Sequence, residues 1–217
     1  MTDSLRAPER DEGETPLLID PSTLRGRERY QLMTSLVVPR PIGWISTWGE
    51  DGIANLAPYS YFGALSVSPM LVGVSIGSRR EGPKDTLVNV RRRGAFCVNV
   101  VSEHLLEAMN GSSAEVGPEV DEFEMVGLSP VSSERVDAPY VAGCPAVLEC
   151  VVKKEVDLDG APNVLVIGEI VGIRIDPSLG FEDDTLSVDA ARLKPVGRLS
   201  GGAYALPGVV RKLARPG

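Results

Sequence analysis

Hydrophobic and polar positions along the chain alternate in short runs, and most of those runs are too brief for long helices. Tyr30 to Leu36 reads as a short helical turn. Val37 to Trp48 reads as a strand entered at a double-proline edge, Pro39-Arg40-Pro41, because proline cannot donate into a sheet interior. Glu50-Asp51-Gly52 supplies an Asp-Gly hairpin signal, and Ile53 to Pro58 is the returning strand. Tyr59 to Pro69, rich in Ser, Gly, Tyr and Phe, reads as a loop, followed by a nearly continuous apolar strand over Met70 to Gly77. After a charged Gly/Pro loop, Ser78 to Pro83, a helix is predicted over Lys84 to Arg93. Asp85 is its expected cap, Leu87 and Val90 share one face, and Gly94 is its stop. Ala95 to Val101 is a buried strand, and Ser102 is expected to cap a helix carrying Leu105, Leu106 and Met109. Residues 111–143 are irregular apart from a helical piece at Asp121 to Val126. Two long strands follow, Ala146 to Leu158 and Val164 to Asp176.

Six or seven strands with three short helices, mostly antiparallel by loop length, predict a mainly β fold, a closed or partly open β-barrel with helices packed on it. Strand-helix-strand alternation occurs at one place only, so a doubly wound sheet does not fit. No Rossmann glycine turn follows a strand, and no P-loop is present. Met1 to Pro16 alternates Arg, Glu and Asp with no apolar core, which excludes a signal peptide. The expected organisation is a flexible polar arm over 1–20 and a single domain over 21–217. No apolar run approaches the roughly 18 residues of a membrane span, so the expected location is the cytoplasm, with no membrane partner.

Charge narrows the partners. The net charge of −8 argues against nucleic acid, whose phosphates demand a basic face. The only dense basic run, Arg91-Arg92-Arg93, reads as the complement of a helix C-terminus. Cys97, Cys144 and Cys150 read as buried free thiols, since no Cys-x-x-Cys pair occurs among them. The single histidine, His104, falls in an ordinary amphipathic helix and reads as a surface residue, so neither a metal site nor a Ser-His-Asp arrangement is predicted. Asp183-Asp184 reads as solvated surface. No catalytic side chain stands out, and any reactive group would be borrowed.

Four segments carry the remaining chemistry: Pro39 to Trp48, Asn55 to Phe62, Lys84 to Asn89, and Arg198-Leu199-Ser200-Gly201-Gly202-Ala203-Tyr204. At Lys84 the free N–H groups of a first helical turn, a threonine hydroxyl and an ammonium converge, with Arg79 and Arg80 just before them. That is an anion site in outline, or alternatively an ordinary helix start. Asn55 to Phe62 offers hydroxyls, an amide and aromatic rings suited to a flat heterocycle, or alternatively an ordinary loop with core-filling rings.

In their order, Pro-Arg-Pro-Ile-Gly-Trp-Ile-Ser-Thr, Asn-Leu-Ala-Pro-Tyr-Ser-Tyr-Phe and Lys-Asp-Thr-Leu-Val-Asn make the chain resemble the flavin reductase-like, FMN-binding split-barrel family, similar to flavoredoxin and to reductase components of two-component monooxygenases. The resemblance spans roughly residues 30–205. It implies a six-stranded Greek-key split barrel, homodimeric, with FMN bound in each subunit. Carried onto this chain, it places Ser46 and Thr47 along the flavin from the first strand. Asn55, Ala57, Pro58, Ser60, Tyr61 and Phe62 would embrace the ring and ribityl chain. Ser78, Arg79, Lys84, Asp85 (through its backbone N–H) and Thr86 would hold the phosphate. The implied activity is that of an FMN-dependent oxidoreductase, with NADH or NADPH as possible donor and an acceptor protein such as a monooxygenase as possible partner. No nicotinamide-binding motif is matched, and members of the family differ in their donor. A non-enzymatic FMN-binding electron carrier, an amine-oxidising split barrel and a ligand-free structural barrel are the competing readings.

Overall fold

The computed structural model describes residues 17–79, 82–182 and 185–213. Most of the arm expected over 1–20 lies outside them, as do Arg80, Asp183 and Asp184. Helix α1 (Gly26–Leu36) precedes strands β1 (Gly43–Trp48), β2 (Ala54–Tyr59), β3 (Phe62–Val67) and β4 (Met70–Arg79). Helix α2 (Asp85–Arg93) leads into β5 (Ala95–Val100), followed by α3 (Leu106–Gly111) and α4 (Glu122–Met125). The long hairpin of β6 (Ala146–Asp157) and β7 (Asn163–Ile175) follows, before a short helix at Ala190–Leu193 and two two-residue strands. All ladders are antiparallel, in the order β2-β1-β5-β6-β7-β4-β3.

The two ends of that path, β2 and β3, are consecutive in the chain, with only Ser60 and Tyr61 between them. The sheet therefore curls back on itself without a ladder closing the seam, which is a split barrel. A Cβ on Gly43 would lie 2.7 Å from the Phe62 ring, so a glycine lets β3 pass close to β1 there. Inside the barrel, Ile45, Val74, Ile76, Phe96, Val98 and Val166 form a core that α2 plugs with Leu87 and Val90. The other face of β1 and β2 carries Trp44 and Leu56, covered by Leu105, Met109, Phe123 and Val141 from the excursion between β5 and β6. Because both faces of β1 are covered, its run is buried nearly throughout.

Several expectations are corrected. The segment Tyr59 to Pro69 is not a loop, because β3 runs through it and pairs with β4 from Phe62–Val74 to Val67–Met70. A bulge between Ala64 and Ser66 breaks its period-2 pattern, which is why the sequence conceals it. It brings the main path to seven strands. The strand expected over Val37 to Trp48 is divided: Arg40–Pro41 pairs instead with Gly197–Arg198, which in turn pairs with Tyr204–Ala205. Lys84, not Asp85, occupies the cap position of α2, and no side chain caps it. Ser102 occupies the cap position but its side chain accepts no helix N–H, its hydroxyl lying 2.8 Å from His104 Nδ1. The arginine triplet does fill the last turn of α2, before Gly94, and its members also pair with Glu155, Glu50 and Asp137.

Candidate functional site

The β1–β2 register sets Thr47 opposite Asn55, on the barrel face of the hairpin, and α2 lays Thr86 and Asn89 against them. All four side chains are buried, so each must find partners inside the protein. Thr86 donates its hydroxyl to Asn55 Oδ1 at 2.8 Å, Thr47 approaches the same oxygen at 3.2 Å, and Asn89 Nδ2 donates to Thr47 at 3.1 Å. The Asn55 amide nitrogen donates to both oxygens of Glu122, at 3.1 and 3.0 Å, and the Leu56 N–H donates to the same carboxylate at 3.0 Å. Glu122 is buried at the first position of α4, where Asp121 accepts the free N–H groups of Phe123 and Glu124. Burial raises the Glu122 carboxyl above its usual range, opposed by the hydrogen bonds from Leu56 and Asn55.

Strand alternation puts Tyr59 on the same face as Asn55 and Ala57. Its ring belongs to the barrel core, and its buried hydroxyl lies near the Thr86 side chain but meets no hydrogen-bond partner at full geometry among the described residues. Burial pushes its pKa up to about 12, so it is a neutral donor across ordinary pH. Tyr59 lines a cleft of about 120 Å³ at the start of α2, with Pro58, Lys84, Thr86, Arg79 and Ser113, and with the carboxylates Asp85, Glu115 and Glu122 also in its wall. The Lys84 ammonium lies 5.5 Å from the centre of the Tyr59 ring and makes no ion pair among the described residues. Arg79, by contrast, pairs closely with Asp85 at the rim. Tyr59, the Lys84 ammonium, without an ion pair among the described residues, and the first turn of α2 thus line one cleft, a donor set that fits a phosphate.

Pro58 and Ser113 also line a second cleft of about 160 Å³, which continues past Ser60 to Tyr30, Arg198 and Tyr204. Asn55, Ala57, Pro58, Arg79, Lys84, Asp85 and Thr86 are therefore gathered at one end of a groove, with Ser60 further along it. Tyr61 and Phe62 open instead onto a third cleft of about 470 Å³, which Ser60 also reaches, between the end of α1 and β3. Ser78 is turned away, its hydroxyl donating to the Pro162 carbonyl at 3.0 Å. Ser46 and Thr47 expose no surface: Ser46 donates to the Pro139 carbonyl at 2.6 Å and accepts from Asn99, while Thr47 is spent on Asn55 and Asn89.

Sequence reasoning missed Tyr59, Glu122 and Arg40. Tyr59 is in phase with Asn55 along the chain, a signal that could have found it, but by residue type it reads only as core filler. The Arg40 guanidinium is buried and donates to the carbonyls of Thr34, Val37 and Leu199, tying the end of α1 to the C-terminal segment. Nothing in its residue type announces that role, because its acceptors are backbone carbonyls, two just before it in the chain and one, Leu199, 159 residues away.

Comparison with known proteins adds the following. The model of the flavin reductase like domain matches residues 33–190. Nitrilotriacetate monooxygenase component B from Bacillus cereus superposes with a TM-score of 0.87 at 31% identity, covering 92% of this chain and 100% of that one. The 2-nitrobenzoate 2-nitroreductase of Pseudomonas fluorescens gives 0.83 at 30% identity, over 92% and 96%. A flavin reductase with a split-barrel domain from Shewanella frigidimarina gives 0.79 at 24% identity, over 90% and 96%, and bears on the fold alone.

Proposed function

Since the chain belongs to the flavin reductase-like domain family, we propose that it is an FMN-dependent oxidoreductase that accepts reducing equivalents from NADH or NADPH and passes them to a partner protein, free flavin or oxygen. The observation that carries the FMN reading is the cleft at the start of α2, where Lys84, the orphaned Tyr59 hydroxyl and the helix N–H groups converge. Bound in the groove, FMN would supply the redox chemistry through its ring, and the protein supplies binding and orientation.

Hydrogen-bond polarity divides the roles of the polar residues. The Asn55 amide nitrogen faces a carboxylate, so its Oδ1 must accept, and the Thr86 hydrogen is committed to it. Thr86 is on this reading a positioning residue, which holds the first turn of α2 against β2. The donors left for a phosphate are Lys84, Tyr59 and the first-turn N–H groups, including that of Asp85. Arg79 stands at the rim, engaged with Asp85. Ala57, Pro58 and Ser60 would border the ring, while Ser46, Thr47 and Ser78 act at a distance or not at all. Similarity to a monooxygenase component B supports a reductase that supplies an oxygenase partner. A homodimer is part of the same proposal.

The test compares FMN with riboflavin, which has the same ring but no phosphate. Lys84→Ala should weaken FMN about 10- to 100-fold, the worth of a charged hydrogen bond, and leave riboflavin nearly unchanged. Equal losses for both ligands would move the phosphate away from α2. Adding NADH or NADPH to the FMN-loaded protein without oxygen should bleach its yellow colour. A colour that persists would make the protein an electron carrier fed from elsewhere.

A further inference from the structure

The outer side of the β6–β7 hairpin holds a buried carboxylate with half of its capacity unused. Cys150 belongs to the barrel core, so strand alternation turns its neighbour Glu149 the other way, and the turn at Ser133 folds over that side chain. Glu149 is left only 2% exposed. Its Oε1 accepts from the Ser133 hydroxyl at 2.8 Å and from Arg174 Nε at 2.7 Å, whereas its Oε2 accepts no hydrogen bond among the described residues. The backbone is shaped to admit that second oxygen. Gly172 lies directly opposite in the ladder, beside a bulge that leaves Val171 without a counterpart on β6, and a Cβ on Gly172 would overlap Oε2.

Glu149 and Arg174 line a cleft of about 470 Å³, with Met70, Val171 and Ile173 as its apolar side and Glu134 and Arg135 also in its wall. None of these residues borders the groove assigned to the flavin. The Arg174 guanidinium is held over the Tyr140 ring, 4.9 Å from its centre. Only its Nε is spent on Glu149, and its Nη2 is 3.7 Å from the exposed Glu134, too far for a hydrogen bond. The Arg135 side chain makes no ion pair among the described residues. An unused acceptor thus stands beside unused guanidinium donors, over an apolar floor.

That juxtaposition selects its ligand by charge. An amine alone at Oε2 would sit against the Arg174 guanidinium, and a carboxylate alone on Arg174 would sit against Glu149. A molecule that carries both charges on one carbon meets each with its opposite. We infer that this cleft binds a free α-amino acid with an apolar side chain: its ammonium on Glu149 Oε2, its carboxylate on Arg174 and Arg135, and its side chain against Met70, Val171 and Ile173. The site is independent of the flavin reading.

Calorimetric titration of the full-length protein with leucine tests this, beside two analogues that each lack one charge, 3-methylbutylamine and 4-methylpentanoate. Leucine should bind saturably, and each analogue at least about tenfold more weakly, the worth of one charged hydrogen bond. Glu149→Gln keeps the shape but can set an amide donor where the ammonium belongs, and should weaken leucine about 10- to 100-fold. Arg135→Ala should weaken it about tenfold. Circular-dichroism melts show that each variant is folded. Arg135 is exposed and its side chain holds nothing else in place, so that variant decides the matter if Glu149→Gln does not fold. The inference falls if leucine does not bind, if either analogue binds as tightly as leucine, or if the folded variants bind leucine as the wild type does.

Discussion

The Tyr59 hydroxyl concentrates the tension at this site. Its ring is packed in the barrel core, yet the oxygen at its tip has no partner, and an unmet buried donor costs about 1–3 kcal/mol. Lys84 above the ring cannot take up the hydroxyl's hydrogen, because an ammonium has donors and no acceptor. A phosphate in the cleft would satisfy both groups together. Tyr59→Phe should therefore separate stability from binding. The flavin-free protein should unfold at the same temperature or up to about 4 °C higher, the response to about 1 kcal/mol in a chain of this size. Its FMN affinity should fall about tenfold. Thermal melts with and without FMN read both effects, and a Tyr59→Phe variant that binds FMN as tightly as wild type would remove Tyr59 from the phosphate site.

At the scale of elements, α2 holds the barrel and the cleft together. Leu87 and Val90 plug the core, Thr86 and Asn89 tie the helix to β1 and β2, and its first turn faces the cleft. The rim pair of Arg79 and Asp85 is partly exposed, so it contributes at most about 1 kcal/mol. Asp85 is not a cap but a carboxylate beside the proposed phosphate position, and it occupies Arg79. Asp85→Ala should cost no more than about 1 kcal/mol of stability and should tighten FMN severalfold by freeing Arg79. Equilibrium dialysis checks this, and weaker FMN binding would show that the pair itself shapes the cleft.

Across the whole molecule, one group of exposed apolar residues lies near the split. Leu36, Val37, Leu65 and Val67 are more than half exposed, at 72%, 57%, 52% and 88%. Leu65 and Val67 lie on β3, the end strand of the ladder, whose outer edge is unpaired in the sheet. The 470 Å³ cleft between α1 and β3 adds Met33, Pro39 and Leu165 to that surface. An exposed apolar face on an edge strand favours isologous pairing with a second copy. Light scattering should show a dimer, and Leu65→Glu should make it dissociate at micromolar concentration by burying an unpaired charge. A wild-type protein that stays monomeric would refute the pairing.

What the sequence by itself determined were features whose cause is local. The β1–β2 hairpin follows from Asp51-Gly52, α2 from its apolar face and Gly94, and the β6–β7 hairpin from two long runs joined by a polar turn. The ordered motifs likewise pointed to the flavin reductase-like family, and the model of that family spans residues 33–190. Tertiary structure decided everything that depends on distant partners. Strand β3 exists because β4 supplies its hydrogen bonds across a bulge that hides its period. Thr47 and Ser46 proved to be spent inside the protein because α2 and the Pro139 segment fold over them. Thr86 lost its hydrogen to Asn55 because Glu122, 67 residues further along, fixes that amide. A hydroxyl or guanidinium type can be read at its position in the chain, but whether its donors are spent or free depends on groups that only folding brings within about 3 Å.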